Sequence, residues 1–404
     1  MKIKNKLGIE ILKLSILTIM SILLSNASGI VDLFFVSNLP KNSQRILGLI
    51  FPFQAFVQAV GYLVGHGGGI VYSKDNNSKI IGKKIIIMGL IIGFIFSLIG
   101  IVSSYFIDNS IFKYYFIIIS ISSLFLISEV IINNLLRFNK SVIGPMFILL
   151  IGFIINFVFD YYFIRVLDIG IIGNSLSYLI THLILFILFL FFYFFKTKNN
   201  SSNEYNISFF NIIKLGLPSF IYQGLTSLSI FVITMISKGY GDDFVIVINI
   251  CNRIYYLLLA IPYGIGQAIM PLVLQKRKGV YLISSIYILL FLLVEIPLII
   301  FSNSIISFFV INNDLYQKYL IFFLLAIPFI SISILVNIIL QCNSNIVISS
   351  ILALLRTGGL FIPLVLLLNM IIGVNCIYLA KIISDILVFV ASIIISIKYK
   401  LLSN

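Results

Sequence analysis

The sequence predicts an all-α integral membrane protein with twelve transmembrane helices in two six-helix lobes and with both termini in the cytoplasm. Three observations lead to this fold class: an apolar composition, the placement of the basic residues, and an internal repeat. Of the 404 residues, 61% are hydrophobic and only 10% are charged, against about 45–50% and about 25% in soluble domains. A soluble globule could not bury so much apolar surface, so the composition excludes a soluble enzyme.

The apolar runs of the chain separate at polar breaks, and each spanning helix needs roughly 20 apolar residues. The first run begins with basic residues, as a signal peptide does, but it stays apolar past Ala27 to Val36, which favours an uncleaved helix. Glycine and proline do not end these runs, because both are common in membrane helices. The runs predict helices at 11–37, 46–73, 82–106, 113–136, 143–165, 170–195, 211–238, 245–273, 280–303, 315–341, 346–369 and 373–397.

The basic residues fall unequally on the two sides of these helices. With the N-terminus inside, 16 of the 27 Lys and Arg residues lie in cytoplasmic segments, 6 lie on the opposite side and 5 lie within helices. Cytoplasmic loops carry an excess of Lys and Arg, so this asymmetry places both termini, and positions 76–78 and 200–203, in the cytoplasm. The net charge of +14 then follows from topology, and no nucleic-acid partner is expected.

The two halves of the chain resemble each other at an almost constant spacing. Residues 12–15 align with 213–216, 65–67 with 264–266, Asn133 with Asn337, and Gly173 with Gly373, at offsets from 199 to 204 residues. Both halves start inside, which indicates a parallel repeat about an axis along the membrane normal, as in some secondary transporters. The polar segment at the junction predicts an N-lobe at 1–198, a cytoplasmic linker at 199–210 and a C-lobe at 211–404.

Three polar residues form the main candidate site, because ionisable groups inside a bilayer are costly and therefore mark function. Asp32 and Asp160 lie near the outer ends of the first and fifth predicted helices, and Asn156 precedes Asp160 by one turn on the same face. Their oxygens could bind Na⁺, or the carboxylates could share a proton, because two neighbouring carboxylates repel each other. The repeat places Ile233 and Leu360 at the positions of the two acids, so helix packing does not require them.

Other polar residues inside predicted helices are candidates for a cavity or a relay. Glu129 lies at another depth and could relay protons or pair with a nearby base, and Glu295 could neutralise Arg356. Asp385 follows Lys381 by four residues, a spacing that predicts a local ion pair. The cavity and relay candidates are Gln54, Gln58, Glu129, Glu295 and Arg356.

A glycine-rich run, residues 65–69, closes the second predicted helix. It follows no strand and lacks the Lys-Ser/Thr of a P-loop, so it predicts close helix approach and not phosphate binding. The sequence contains no Walker motif that would indicate ATP as the direct energy source, and no cofactor is expected. The three cysteines, Cys251, Cys342 and Cys376, lie in apolar runs, where reduced core cysteines are the usual case.

Several of these patches, taken in order, resemble the MATE (multidrug and toxic compound extrusion) family of the MOP transporter superfamily. The resemblance covers essentially the whole chain. The patches are Asp32 within 29–36, the glycine run 65–69, the turn from Arg137 to Met146, Asn156-x-x-x-Asp160, Gly216-Leu217-Pro218, and Arg356 with Ile362-Pro363.

The resemblance implies a V-shaped pair of lobes that alternate access, and export of organic cations or other amphipathic compounds driven by inward H⁺ or Na⁺. It also implies that Asp32, Asn156 and Asp160 form the ion site of the N-lobe. Family members often add a Thr eighteen residues after the second acid. That position is Tyr178 here, with Ser177 beside it, so Tyr178 is the candidate fourth residue of the site.

Many family members also have a proline early in the first helix, where bending has been linked to coupling. Leu17 occupies that position here, so any bend must use another feature, and Gly29 is the candidate.

We therefore expect a multi-pass protein of a prokaryotic plasma membrane, the cytoplasmic or inner membrane, acting as a monomer on small amphipathic or cationic molecules. The alternative is a polysaccharide or lipid-linked oligosaccharide flippase of the same superfamily, which shares the fold and the basic N-terminus but is usually richer in cavity Arg and Lys. A non-transporting scaffold is disfavoured because the two acids of the main candidate site, Asp32 and Asp160, occur in only one half. No nucleophile–base set indicates an enzyme.

Overall fold

A computed structural model describes residues 2–74, 79–139, 141, 143–197, 208–274, 279–309, 314–342 and 346–399. Helices and short connections make up these residues, and no strand occurs among them. The helices are α1 (Lys2–Val36), α2 (Lys41–Lys74), α3 (Lys79–Ser104), α4 (Ser110–Phe138), α5 (Ile143–Asp160), α6 (Ile171–Lys196), α7 (Phe209–Tyr240), α8 (Asp242–Leu258), α9 (Ala260–Leu274), α10 (Val280–Phe291), α11 (Glu295–Ile300), α12 (Ser302–Phe309), α13 (Asp314–Cys342), α14 (Ile346–Leu354), α15 (Phe361–Ile372) and α16 (Cys376–Lys398).

Eleven helical runs in these ranges are long and apolar enough to cross a membrane, by length and composition alone. The predicted helices at 346–369 and 373–397 fall within one of these runs, Val347–Lys398, which is 52 residues long. Many large apolar side chains stay exposed on the helices, including Ile91, Phe94 and Val102 of α3 at 56–60%. Exposed apolar surface on this scale is typical of helices that face lipid.

The observed helices follow the predicted runs, with differences at ends and prolines. α1 starts at Lys2, where the prediction began at residue 11, because polar residues outside the hydrocarbon can still continue a helix. The predicted helix 245–273 is divided at Leu259, three residues before Pro262. The predicted helix 280–303 is interrupted by a 3₁₀ turn at Leu292–Val294, just before Pro297. Proline cannot donate a backbone hydrogen bond and disturbs the preceding turn.

α3 packs against α4 through a stripe of small residues. Its buried positions include Gly82, Gly89, Gly93, Ser97, Gly100 and Ser104. At Gly93 a Cβ atom would lie 2.9 Å from the Cα of Leu124 on α4, so the two backbones approach closely there. Small residues at such crossings are the usual basis of helix association in membranes.

The glycine run of α2 lies against three different helices, in agreement with the predicted close helix approach. A Cβ atom on Gly65 or Gly69 would meet Asn134 or Phe138 of α4, and one on Gly68 would meet Ile85 of α3. A Cβ atom on Gly67 would collide with the carbonyl oxygen of Ile212 on α7, and one on Gly216 would collide with that of Leu63.

Contacts divide the chain into two compact units. Unit 1 contains Met1–Ile30 and Val232–Asn404, and unit 2 contains Val31–Phe231. The two boundaries fall inside α1 and α7 and are 201 residues apart, which is the offset that aligns 12–15 with 213–216. Each unit thus includes the first part of one of these helices and the remainder of the other. The predicted lobes at 1–198 and 211–404 follow the repeat and stay a prediction, and most of the predicted linker lies outside the described residues.

Hydrogen bonds attach the first part of α7 to the rest of unit 2, and the first part of α1 to the rest of unit 1. In unit 2, Ser227 of α7 donates to the carbonyl oxygen of Pro52 at 2.9 Å, and the hydroxyl of Ser219 lies 2.8 Å from Nδ1 of His66. In unit 1, Thr18 of α1 donates to the carbonyl oxygen of Gly264 at 2.7 Å, and Asn26 donates to that of Tyr256 at 3.0 Å.

The backbone refines the register of the repeat. Gly170 has φ 67° and ψ −144°, and Gly373 has φ 61° and ψ −140°. Positive φ values favour glycine, so these two residues are equivalent, at an offset of 203 and not the offset of 200 that paired Gly173 with Gly373. Tyr115 and Tyr319, both fully buried, are related by a similar offset of 204.

Two of the cysteines are free and buried as predicted, Cys251 and Cys376. The side chain of Cys342, positions 76–78 and positions 200–203 lie outside the described residues.

Candidate functional site

The structure brings together the three residues of the main candidate site. Asp32 lies on α1, and Asn156 and Asp160 lie on α5, all within unit 2. Their exposed fractions are 3%, 1% and 0%. Asp160 is the last residue of α5, and a π-helical segment, Tyr161–Val166, follows it directly. Such π segments are frequent at functional sites.

A second amide, Asn174 of α6, joins the two carboxyl groups. Its Nδ2 donates to Oδ1 of Asp32 at 3.0 Å and to Oδ1 of Asp160 at 3.2 Å. The hydroxyl of Tyr115 donates to Oδ1 of Asn174 at 2.9 Å, which fixes the orientation of the amide. The carboxyl groups of Asp32 and Asp160 also interact directly with each other.

Asn156 connects α5 to the same group. Its Nδ2 lies 3.5 Å from Oδ1 of Asp32 and 3.4 Å from Oγ of Ser177. Ser177 in turn donates to the backbone carbonyl oxygen of Asn156 at 3.1 Å. The site is therefore held by three helices, α1, α5 and α6.

Two oxygen atoms of the site lack a hydrogen-bond donor within the described ranges. They are Oδ2 of Asp160 and Oδ1 of Asn156, both fully enclosed. A buried acceptor without a partner costs about 1–3 kcal/mol, so these atoms could accept a proton or coordinate a cation. The same ranges contain no group of three or more His, Cys, Asp or Glu side chains that could hold a metal ion, and Na⁺ here would use carboxylate and amide oxygens.

Tyr178, the predicted fourth residue, lies one turn beyond Asn174 on α6. Its ring packs against His182, with the ring centres 4.2 Å apart. The prediction missed Asn174, which takes the bridging position. The signal available for it was its spacing, because Asn174 precedes Tyr178 by four residues and so shares its helix face. The role of Tyr178 at the ion site stays a prediction.

Glu129 has the basic partner that the sequence left open. Oε1 of Glu129 on α4 lies 3.0 Å from Nδ1 of His182 on α6, and both side chains are largely buried. Gln54 and Gln58 are half-buried on α2. These residues belong to unit 2, as the two aspartates do.

The remaining candidates lie in unit 1. Arg356 is in a π-helical segment, Leu355–Gly359, and its Nη2 donates to the hydroxyl of Tyr263 at 3.0 Å. The expected ion pair is present, with Nζ of Lys381 3.3 Å from Oδ2 of Asp385. Glu295 is buried at the start of α11, and its Oε1 has no hydrogen-bond partner among the residues that are described.

Gly29, the candidate bend, contacts a buried arginine. Nη1 of Arg253 on α8 donates to the carbonyl oxygen of Gly29 at 2.6 Å, and Nε of Arg253 donates to Asn249 at 3.2 Å. α1 is helical through this position.

No protein-family model matches the sequence, and no curated protein matches it significantly. Solved structures do match over almost the whole chain. An inward-facing multidrug resistance MATE family transporter of the MOP superfamily has a TM-score of 0.77 and 17% identity, over 95% of this chain and 96% of that chain. Its outward-facing counterpart has a TM-score of 0.72 and 18% identity, over 95% and 93%. A MOP superfamily transporter from Pyrococcus furiosus has a TM-score of 0.77 and 17% identity, over 95% and 94%.

The chain therefore has the helical fold of the MOP transporter superfamily. Within that superfamily, the matched structures include MATE family transporters, and the resemblance found in the sequence motifs is confirmed for the fold.

Proposed function

We propose that the protein is a secondary active antiporter that exports lipophilic or cationic compounds in exchange for H⁺ or Na⁺. The observation that carries this proposal is the buried pair of Asp32 and Asp160, which Asn174 bridges. Beside it lie two acceptor atoms that have no donor in the part of the chain that the structure describes. A polar group of this kind is expensive in a protein surrounded by lipid. The repeat supports a functional origin, because the second half has apolar residues at both aspartate positions.

The coupling ion relieves repulsion between the two carboxylates. One proton shared by the pair, or one Na⁺ held by the pair and Oδ1 of Asn156, lowers the cost of burying two negative charges. An ion can drive a conformational change only through different affinities for two states of the protein. Ion entry from outside would reduce the charge of the pair from −2 to −1, allow α1, α5 and α6 to repack, and favour substrate release outward.

We further propose twelve membrane spans with both termini in the cytoplasm. The 52-residue run Val347–Lys398 supports the twelfth span, because roughly 20 residues suffice for one crossing. We also propose that the protein is a monomer, that it lies in a prokaryotic plasma membrane, and that it works without a cofactor. Two of the matched structures are of a multidrug resistance MATE family transporter, and this chain would act on compounds of that class.

The alternative function is a flippase for polysaccharides or lipid-linked oligosaccharides. One observation favours it: in unit 1, Arg356 and Lys381 are both near Asp385, so basic side chains outnumber the acid in this group. A basic group of this kind suits an anionic headgroup. We rank this function second because the bridged carboxylates lie in unit 2 and suit cations.

The test is ethidium release from proteoliposomes under an imposed Na⁺ or pH gradient, applied separately. We expect the wild-type protein to respond to at least one gradient. Asp32→Asn and Asp160→Asn, which keep the size of the side chain, should reduce release to the rate of protein-free liposomes. A neutral amide neither takes up the coupling proton nor has the negative charge that attracts Na⁺.

Asp108→Asn is the matched control, since Asp108 is an exposed acid between α3 and α4, and it should pump like the wild type. If both Asp→Asn variants pump at wild-type rates with unchanged ion dependence, Asp32 and Asp160 do not form the ion site. Absence of any cation efflux, together with restored glycan export in a flippase-deficient strain, would favour the alternative.

A further inference from the structure

We propose that Glu129 and His182 form a second proton-binding site in unit 2, separate from the pair of aspartates. The inference rests on the proposed function only for its role in transport, because proton binding by the two residues can be tested without transport. The ion that unit 2 takes up and releases at this second site would be a proton and not Na⁺.

The two side chains are close enough to share a proton. Nδ1 of His182 lies 3.0 Å from Oε1 of Glu129, and the side chains are 13% and 8% exposed. The ring is not aligned for a hydrogen bond to the carboxylate, and Nδ1 has no hydrogen-bond partner among the described residues. They come from different helices, α6 and α4, so their contact does not follow from helix spacing. A neutral imidazole beside a carboxylate carries a net charge of −1, and uptake of one proton gives a neutral imidazolium–carboxylate pair.

Two further observations argue against a purely structural pair. Oε2 of Glu129 is enclosed and has no hydrogen-bond partner in the ranges that are described, so the carboxylate keeps an acceptor that packing does not use. The repeat places Ser333 at the position of Glu129, where its hydroxyl bonds within its own helix, to Phe329 at 3.3 Å. The helix pair therefore packs in the second half without an acid at this position.

The equivalent place in unit 1 holds a different kind of pair. The refined register of the repeat puts Asp385 at the position of His182, and Asp385 pairs with Lys381 on its own helix at 3.3 Å. Aspartate and lysine side chains ordinarily titrate far from neutrality, whereas histidine is the side chain that changes charge between about pH 5 and 8. The chain contains only two histidines, and one of them occupies this position.

The other titratable groups near the pair come from the helices that pack on α4 and α6. From α2 these are Tyr62, which interacts electrostatically with both Glu129 and Arg137, and His66, which interacts with Arg137. α4 itself contributes Arg137, and α6 contributes Tyr178 against His182. The ionisable residue of α5 is Asp160, which belongs to the ion site. α3 has ionisable residues only in its first turns, at Lys79, Lys83 and Lys84.

The position of the second site suggests how it would act. His182 and Asn174 lie on one face of α6, eight residues or about 12 Å apart along the helix. Asn174 holds both aspartates, so a change of charge at His182 acts on the same helix that orients the ion site. Proton loss at the pair leaves a buried negative charge, and this would oppose a second negative charge at the aspartates.

The experiment is histidine NMR on protein labelled with ¹⁵N-histidine in lipid nanodiscs, followed between about pH 5 and 8. His66→Gln and His182→Gln assign the two signals. We expect the His182 signal to change between neutral and charged imidazole in this range. In Glu129→Gln the ratio of charged to neutral His182 at a given pH should fall at least about tenfold, because the adjacent carboxylate no longer stabilises the cation.

His66 is the internal control. Its ring bonds to Ser219 and not to Glu129, so its signal should respond to Glu129→Gln much less than that of His182. A His182 signal that stays in one protonation state over the whole range, or that is unchanged in Glu129→Gln while the protein remains folded, would overturn the proposal. Failure of dye transport would leave this result unaffected, which separates the second site from the proposed function.

Discussion

Asn174 is the side chain through which α6 reaches both carboxyl groups of the candidate ion site. One amide nitrogen donates to Asp32 and Asp160, and Tyr115 fixes the opposite end of the amide. An amide in this position stabilises the charged form of the pair without supplying a charge. It also keeps the two carboxyl groups at a fixed separation, which any single ion bound between them requires.

Asn174→Leu should change the ion dependence more than Tyr178→Phe does. Loss of a hydrogen bond to a charged group costs about 1.5–3 kcal/mol and destabilises the ion-free pair, so the H⁺ concentration for half-maximal efflux should fall about 10-fold or more. Tyr178→Phe, the matched control one turn away, should change it less than about twofold. The measurement is dye release against ion concentration in proteoliposomes. A larger effect of Tyr178→Phe would restore Tyr178 as the fourth residue of the site.

The sequence predicted Asp32, Asn156 and Asp160 because charged residues are rare in apolar runs and stand out by their cost. It did not predict Asn174, since a single amide carries no such signal and its partners come from helices far away in the chain. The sequence did not predict the contact of Glu129 with His182 either, because the two residues lie on different helices. Asp385 with Lys381 could be predicted because the two residues share one helix.

At the level of helices, close approach depends on the absence of side chains at a few crossings. Gly67 of α2 and Gly216 of α7 face each other's helix backbones so closely that neither can accept a Cβ atom without movement. The glycine run showed in the sequence that α2 would pack closely. It could not show that four of its glycines contact three different helices, α3, α4 and α7, because the order of residues does not specify which helices pack together.

Gly216→Ala should destabilise the protein, and Gly239→Ala on the same helix should not. The new methyl group at 216 would collide with the backbone of α2, and such overpacking costs about 1–3 kcal/mol. At Gly239 a Cβ atom would meet nothing within 4 Å, so the change there should stay within about 0.5 kcal/mol or be stabilising. Thermal unfolding in detergent, followed by size-exclusion chromatography, gives the comparison. Equal unfolding temperatures for the two variants would show that the α2–α7 crossing is looser than described.

At the level of the whole molecule, two units share the chain in a pattern set by the repeat. Their boundaries in α1 and α7 are 201 residues apart, and each unit has its own buried charged group. Unit 2 contains Asp32, Asp160 and Glu129, and unit 1 contains Arg253, Glu295, Arg356 and Asp385. The sequence revealed the repeat but not these boundaries, because no change of composition marks them.

The topology of the whole chain can be tested with single cysteines in a background without the native ones. Ser73 and Lys196 are exposed at helix ends on the predicted cytoplasmic side, and Asn38 and Asp108 are exposed on the opposite side. A membrane-impermeant maleimide added to intact cells should label Asn38→Cys and Asp108→Cys. Ser73→Cys and Lys196→Cys should be labelled only after permeabilisation. Labelling of the second pair in intact cells would reverse the orientation.

The division of α1 between the units has a consequence for biogenesis. Unit 2 is one continuous stretch, Val31–Phe231, whereas unit 1 joins Met1–Ile30 to Val232–Asn404. During synthesis, unit 2 has all its residues once α7 is partly made. Residues 1–30 emerge from the ribosome before unit 2, but their partners, such as the carbonyl oxygen of Gly264 for Thr18, are made only after unit 2. We therefore expect this early segment to pack late, and loss of the second half would leave it without its native neighbours.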